Sequence, residues 1–128
     1  MLVEGNNLTT IWYDTSDGWV KIIDQRLLPH ELKIVNLNTL TEAAFAIKEM
    51  QVRGAPLIGV TGAYGMYLAS KENSDIENLI QSGKKLKDTR PTAVNLSWAI
   101  DKIINQIKDV DKSKRSESIL KIANIKKL

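Results

Sequence analysis

The chain has 128 residues, of which 43% are hydrophobic and 26% charged, with a formal net charge of +3; this suits one soluble globular domain with a real core and argues against global disorder. It has no cysteine, which excludes disulfides, thiolate metal sites and a cysteine nucleophile within these residues, and its one histidine, His30, cannot build a multi-histidine metal site and reads as a solvated loop residue. Positive charge gathers in residues 111–128, net +4, but no aromatic side chain is interleaved with those lysines, so the segment reads as a solvated face and not as a nucleic-acid surface.

Two β-prone runs come first, Thr9 to Asp14 and Trp19 to Asp24, joined by Thr15-Ser16-Asp17-Gly18, whose Asp-Gly pair favours an antiparallel hairpin. Leu32 to Leu37 alternates in part and adds a third strand after the break at Pro29. From Thr41 the period changes. Ala43, Ala44, Ile47 and Met50 or Gln51 fall on one side of a helix that Thr39 or Thr41 caps.

The segment Arg53-Gly54-Ala55-Pro56 then opens a second helix, because proline is tolerated in a first turn and biases the residue before it toward extended backbone. Unpaired N–H groups at that helix start, a glycine that lets a ligand approach and the planar donor fork of Arg53 together outline an anion site. A plain turn fits the same spacing. The helix, about Ala55 to Ser70, contains Gly59, Gly62 and Gly65, each of which weakens a helix by roughly 1 kcal/mol relative to alanine. Ala55, Gly59, Gly62 and Ala63 share one face, so either a closely packed helix or a ligand offsets that loss. Its apolar stretch from Ala55 to Ala69 is shorter than the roughly 20 residues a bilayer crossing needs, which points to a core helix and no membrane partner. Glu4-Gly5-Asn6-Asn7 interrupts any secretion signal, and the reading is a cytoplasmic protein.

Ser74 and Glu77 form a capping-box pattern for a third helix running to about Lys87, with Ile76, Leu79, Ile80 and Leu86 as its apolar set. Arg90-Pro91 repeats the earlier arrangement, an arginine directly before a proline, ahead of a fourth helix that ends near Lys108. A last amphipathic helix carries Ile119, Leu120, Ile122, Ala123 and Ile125. The expected fold is α+β, mainly α: a small N-terminal antiparallel β-sheet (residues 1–38) followed by a helical bundle (39–128), in a single N-terminal domain.

Arg53-Gly54-Ala55-Pro56, Ile58-Gly59-Val60, Ala63-Tyr64-Gly65 and Arg90-Pro91-Thr92-Ala93-Val94-Asn95-Leu96 together resemble the N-terminal domain of the methylthioribose-1-phosphate isomerase family. Asp24-Gln25-Arg26-Leu27-Leu28-Pro29 is similar to that family's Asp-Gln-(Arg/Thr)-x-Leu-Pro stretch, in the same order and at similar spacing. The resemblance covers about residues 10–110. The wider group includes ribose-1,5-bisphosphate isomerases and the regulatory subunits of the nucleotide-exchange factor for translation initiation.

The resemblance implies an aldose-to-ketose isomerisation of 5-methylthioribose 1-phosphate in methionine salvage, with no cofactor and no metal. It implies that Arg53, Gly54 and Ala55 line the sugar-phosphate site and that Arg90 reaches the phosphate or sugar. In complete members a Rossmann-like C-terminal domain follows, and its motifs carry the catalytic cysteine and aspartate. Here there is no cysteine and no such domain in the 128 residues, so the expectation is an N-terminal fragment, inactive alone, whose partners are a phosphorylated pentose and a C-terminal domain or a second copy of the chain. Asp14, Asp24, Asp88 and Asp101 are read as surface or capping carboxylates, and no catalytic residue is assigned. The alternative is a non-catalytic interaction module akin to the translation-factor subunits.

Overall fold

The computed structural model describes residues 2–3, 6–7, 11–14, 18–24, 33–49 and 55–125. Strands β1 (Leu2–Val3) and β2 (Asn6–Asn7) form a minimal antiparallel pair. Strands β3 (Ile11–Asp14), β4 (Trp19–Ile23) and β5 (Ile34–Leu37) form an antiparallel sheet in the order β3-β4-β5. The predicted hairpin is present. Gly18 takes φ +74, a left-handed conformation that glycine enters without steric strain, and its N–H donates to the Asp14 carbonyl at 2.8 Å. Ile11 pairs with Ile22 and Val20 with Leu37, and all four are buried against the helices. Thr9, Thr10 and Leu32, which the sequence places in strands, lie outside the described residues, as does His30.

Helix α1 (Leu40–Lys48) is capped by Thr39, whose hydroxyl accepts from the Glu42 N–H at 3.2 Å, while the Glu42 carboxylate accepts from the Asn38 N–H at 2.7 Å. Helix α2 (Ala55–Glu72) is the axis of the bundle. Every residue from Ile58 to Ser70 is buried, the expected fate of a helix that is apolar on all sides. Helices α1, α3 (Ile76–Thr89), α4 (Val94–Ile107) and α5 (Arg115–Ile125) pack around it. A short 3₁₀ turn, Lys112–Lys114, leads into α5.

The glycines of α2 mark where its neighbours come closest. A Cβ on Gly62 would sit 2.5 Å from Leu96 Cδ1 on α4, and one on Gly65 would lie 3.1 Å from Leu86 Cδ1 on α3 and 3.2 Å from the Ala43 methyl on α1. Of the two readings left open for this small-residue face, close helix packing is the one the contacts support. Gly83 on α3 repeats the device, with Ile100 Cγ2 at 2.7 Å from the position of an added Cβ.

Three local expectations need correction. Ser74 does not open α3: its hydroxyl donates back to the Ser70 carbonyl at 2.7 Å, and Asp75 takes the N-cap position with no side-chain cap bond. Asn73 explains the switch, because its side-chain oxygen accepts from the Asp75 N–H at 2.9 Å and turns the chain one residue later than the pattern implied. Ile80 is exposed, since α3 buries Leu79, Ser82, Gly83 and Leu86 instead. Asp24, read as a surface or capping carboxylate, is not at the surface: it is 2% exposed, directly after the central strand.

Candidate functional site

Helix α3 stops at Thr89, and Arg90-Pro91-Thr92-Ala93 turns the chain into α4. The Ala93 N–H donates to the Arg90 carbonyl at 3.0 Å, closing the turn, with Pro91 where its fixed φ suits the first central position. The Arg90 N–H donates to the Lys87 carbonyl at 3.2 Å and so ties the arginine to the end of α3. Ala93 is the N-cap of α4 and has no side-chain acceptor to offer. The first N–H groups of α4 are therefore without the side-chain partner that serine, threonine or aspartate supplies at that position.

This turn borders a cavity of about 680 Å³. Lys48 at the end of α1, Ile58 one turn into α2, and Thr89, Arg90, Thr92 and Asn95 around the α3–α4 turn all line it. Arg90 is half-buried, and its Nε donates to the Ile47 carbonyl at 3.3 Å. One edge of the guanidinium is thereby fixed to the C-terminal end of α1, where carbonyls lack intrahelical partners. Its Nη donors make no further hydrogen bond or ion pair among the described residues. The wall thus combines two cations, two hydroxyls and an amide, and among the described residues no carboxylate or imidazole lines it. Such a surface suits binding of an anion.

Of the residues singled out in the sequence, Arg90 lies in this cavity. Arg53 and Gly54 lie outside the described residues, and so does the side chain of Ala55, the first residue of α2. The helix that Ala55 opens does reach the cavity through Ile58. Lys48 was not singled out, and no local pattern marks it, because its neighbour Ile47 meets Arg90 across 43 residues of sequence. Other polar residues have structural work. Asp14 pairs with Lys21 at 2.9 Å, Asp101 with Lys87 at 2.5 Å and Asp75 with Lys112 at 2.6 Å. The Lys112 ammonium, and behind it the charge of Arg115, hold the Asp75 carboxyl below its ordinary value.

Within the basic segment, Arg115 departs from the expected solvated face: it donates to the carbonyls of Ile107 at 3.2 Å, Val110 at 3.0 Å and Ser74 at 2.8 Å. No group of three or more metal-ligating side chains occurs among the described residues, and none of their helices is long and apolar enough to cross a membrane.

The sequence model of the Initiation factor 2 subunit family matches residues 51–127. A methylthioribose-1-phosphate isomerase of Methylocella silvestris is 52% identical over 103 residues, 80% of this chain and 28% of that protein. One of Sinorhizobium medicae is 42% identical over 118 residues, 92% of this chain and 32% of that protein. Among solved structures, the delta subunit of translation initiation factor eIF-2B from A. fulgidus superposes with a TM-score of 0.83 at 35% identity, over 94% of this chain and 36% of that one. The 5-methylthioribose 1-phosphate isomerase of Pyrococcus horikoshii OT3 gives 0.79 at 34% identity, over 91% and 35%. The chain thus spans about a third of the length of these curated relatives.

Proposed function

Because the chain belongs to the initiation factor 2 subunit family, we propose that it supplies the N-terminal part of a methylthioribose-1-phosphate isomerase acting in the cytoplasm in methionine salvage, and that the cavity beside Arg90 is its share of the sugar-phosphate site. The observation that carries the reading is the half-anchored arginine. Its Nε is held by the Ile47 carbonyl while its Nη donors are uncommitted among the described residues, at the start of a helix whose N-cap offers no side-chain acceptor. Fixing one edge of a guanidinium removes much of the rotamer entropy that binding would otherwise cost, and the other edge suits two phosphate oxygens.

In this reading Arg90 and the first turn of α4 hold the phosphate from one side, and Arg53, Gly54 and Ala55 at the start of α2 hold the sugar phosphate from the other. Isomerisation of an aldose 1-phosphate to a ketose needs ring opening and hydrogen transfer between adjacent carbons by a positioned acid/base pair. The described cavity wall holds no carboxylate or imidazole, and in this reading these 128 residues bind and orient substrate while the acid/base pair is supplied from outside them.

A nuclear magnetic resonance titration of the 128-residue chain with a phosphorylated pentose tests the placement. Amide shifts should concentrate at Thr92 to Leu96 and at the end of α1. Shifts confined to other surfaces, or none at millimolar ligand, would overturn it.

A second reading, a non-catalytic interaction module, draws support from the TM-score of 0.83 to the translation-factor subunit and from the exposed Val94 and Trp98 on α4, 77% and 49% accessible. It requires binding that is indifferent to phosphate.

A further inference from the structure

Arg90 is not the only cation of the cavity. Lys48, the last residue of α1, also lines it, is exposed, and makes no hydrogen bond or ion pair among the described residues. Lys87 and Lys112 have acidic partners in Asp101 and Asp75, and exposed lysines such as Lys84, Lys85 and Lys108 are, like Lys48, without one among the described residues, so what sets Lys48 apart is its place in the cavity wall. Lys48 and Arg90 border one cavity that no carboxylate lines among the described residues. A lysine at the end of a helix ordinarily complements the unpaired carbonyls there, yet the carbonyl of Ile47, next to Lys48, already accepts from Arg90 at 3.3 Å. Two positive groups around one space repel unless an anion sits between them. A dianionic phosphomonoester satisfies both, with the planar fork taking two oxygens and the ammonium a third.

We propose that Lys48 is a second phosphate-binding residue of this cavity, reaching the phosphate from the α1 side opposite the start of α4. The assignment rests on reading the cavity as a sugar-phosphate site, and it adds a residue that neither the arginine motifs nor the helix starts point to. Lys48 touches the phosphate and not the reacting carbons, so its contribution is to affinity and to the preference for a phosphorylated over an unphosphorylated pentose.

The test is calorimetry of ribose 5-phosphate and of inorganic phosphate binding to the 128-residue chain, in its native form and as Lys48→Met, Lys48→Arg and Arg90→Ala, with thermal midpoints measured alongside. Lys48→Met is expected to weaken both ligands roughly three- to tenfold, the range for a charge-assisted contact open to solvent, at an unchanged thermal midpoint. Lys48→Arg is expected to stay within about twofold of native, since it keeps the charge. If Lys48→Met binds like the native chain while Arg90→Ala is impaired, the lysine assignment fails and the phosphate cavity stands. If Lys48→Met lowers the thermal midpoint and Lys48→Arg does not restore affinity, the lysine is structural and the assignment fails. If the native chain binds neither ligand, the cavity reading and the lysine assignment fall together.

Discussion

Arg115 and Arg90 are both half-buried arginines that donate to backbone carbonyls, yet they differ in what is left over. Arg115 uses Nε, Nη1 and Nη2 on the carbonyls of Ile107, Val110, Ser74 and Lys108, joining the end of α4 to the α2–α3 link; Arg90 uses only Nε. A fully engaged guanidinium stabilises the fold, and a partly engaged one is available to a ligand. Arg115→Met should therefore lower stability by about 1–3 kcal/mol, because it leaves partly buried carbonyls without their donor, and chemical denaturation measures it; an unchanged midpoint contradicts the account.

Tyr64 is fully buried and donates its hydroxyl to the Asn124 side-chain oxygen at 2.6 Å. Burial pushes its phenol up to about 12, offset in part by a hydrogen bond with the Tyr13 backbone. Burial likewise pushes Tyr67 up to about 12, helped by a hydrogen bond with the Tyr13 side chain and by its charge. Unfolded tyrosine titrates near 10, so the unfolded chain loses these protons first as pH rises. The stability they contribute is fully present below about pH 10 and is lost between about pH 10 and 12. Thermal midpoints across that range should fall, and less steeply for Tyr64→Phe; identical slopes would show that Tyr64 is not responsible.

At the scale of elements, the parts that were legible are those fixed by local chemistry. The turn at Gly18, the existence of a threonine cap on α1, though not the choice of Thr39 over Thr41, and the start of α2 at Ala55 follow from residues close in sequence. The errors fell where a distant or competing partner decides. Ser74 carries the residue type of an N-cap, but the Ser70 carbonyl claims it. Ile80 belongs to the apolar pattern of α3, but Gly83 lets α4 approach so closely that the buried face of α3 turns toward Ser82 and Gly83. That close approach makes a prediction. Gly83→Ala would gain about 1 kcal/mol of helix propensity, yet its Cβ would meet Ile100 Cγ2 at 2.7 Å, a fully buried, β-branched side chain with little freedom to move. Overpacking of this kind costs roughly 1–3 kcal/mol. Urea denaturation should show net destabilisation, and a more stable variant would mean that α3 and α4 are not so tightly apposed.

On the scale of the whole molecule, the helices around α2 bring three chain segments, the end of α1, the start of α2 and the α3–α4 turn, to one cavity. The arginine motifs point to two of those segments in the sequence; Arg90 lies at the cavity, and Arg53 and Gly54 lie outside the described residues. No local pattern points to the end of α1, because its place at the cavity depends on Arg90 meeting Ile47 across the bundle. Charge follows the same division. Within the basic segment, Lys112 and Arg115 are held in ion-pair and carbonyl contacts, whereas the cations of the cavity have no acidic neighbour lining it among the described residues.

Whether this cavity binds the phosphate of a sugar phosphate through Arg90 is decided by calorimetry of a phosphorylated pentose with the native chain and with Arg90→Ala. Loss of a charge-assisted contact to phosphate is worth about 1.5–3 kcal/mol, so the variant should bind roughly ten- to a hundredfold more weakly while remaining folded. Equal affinity in the two, or no binding by the native chain, would contradict such binding.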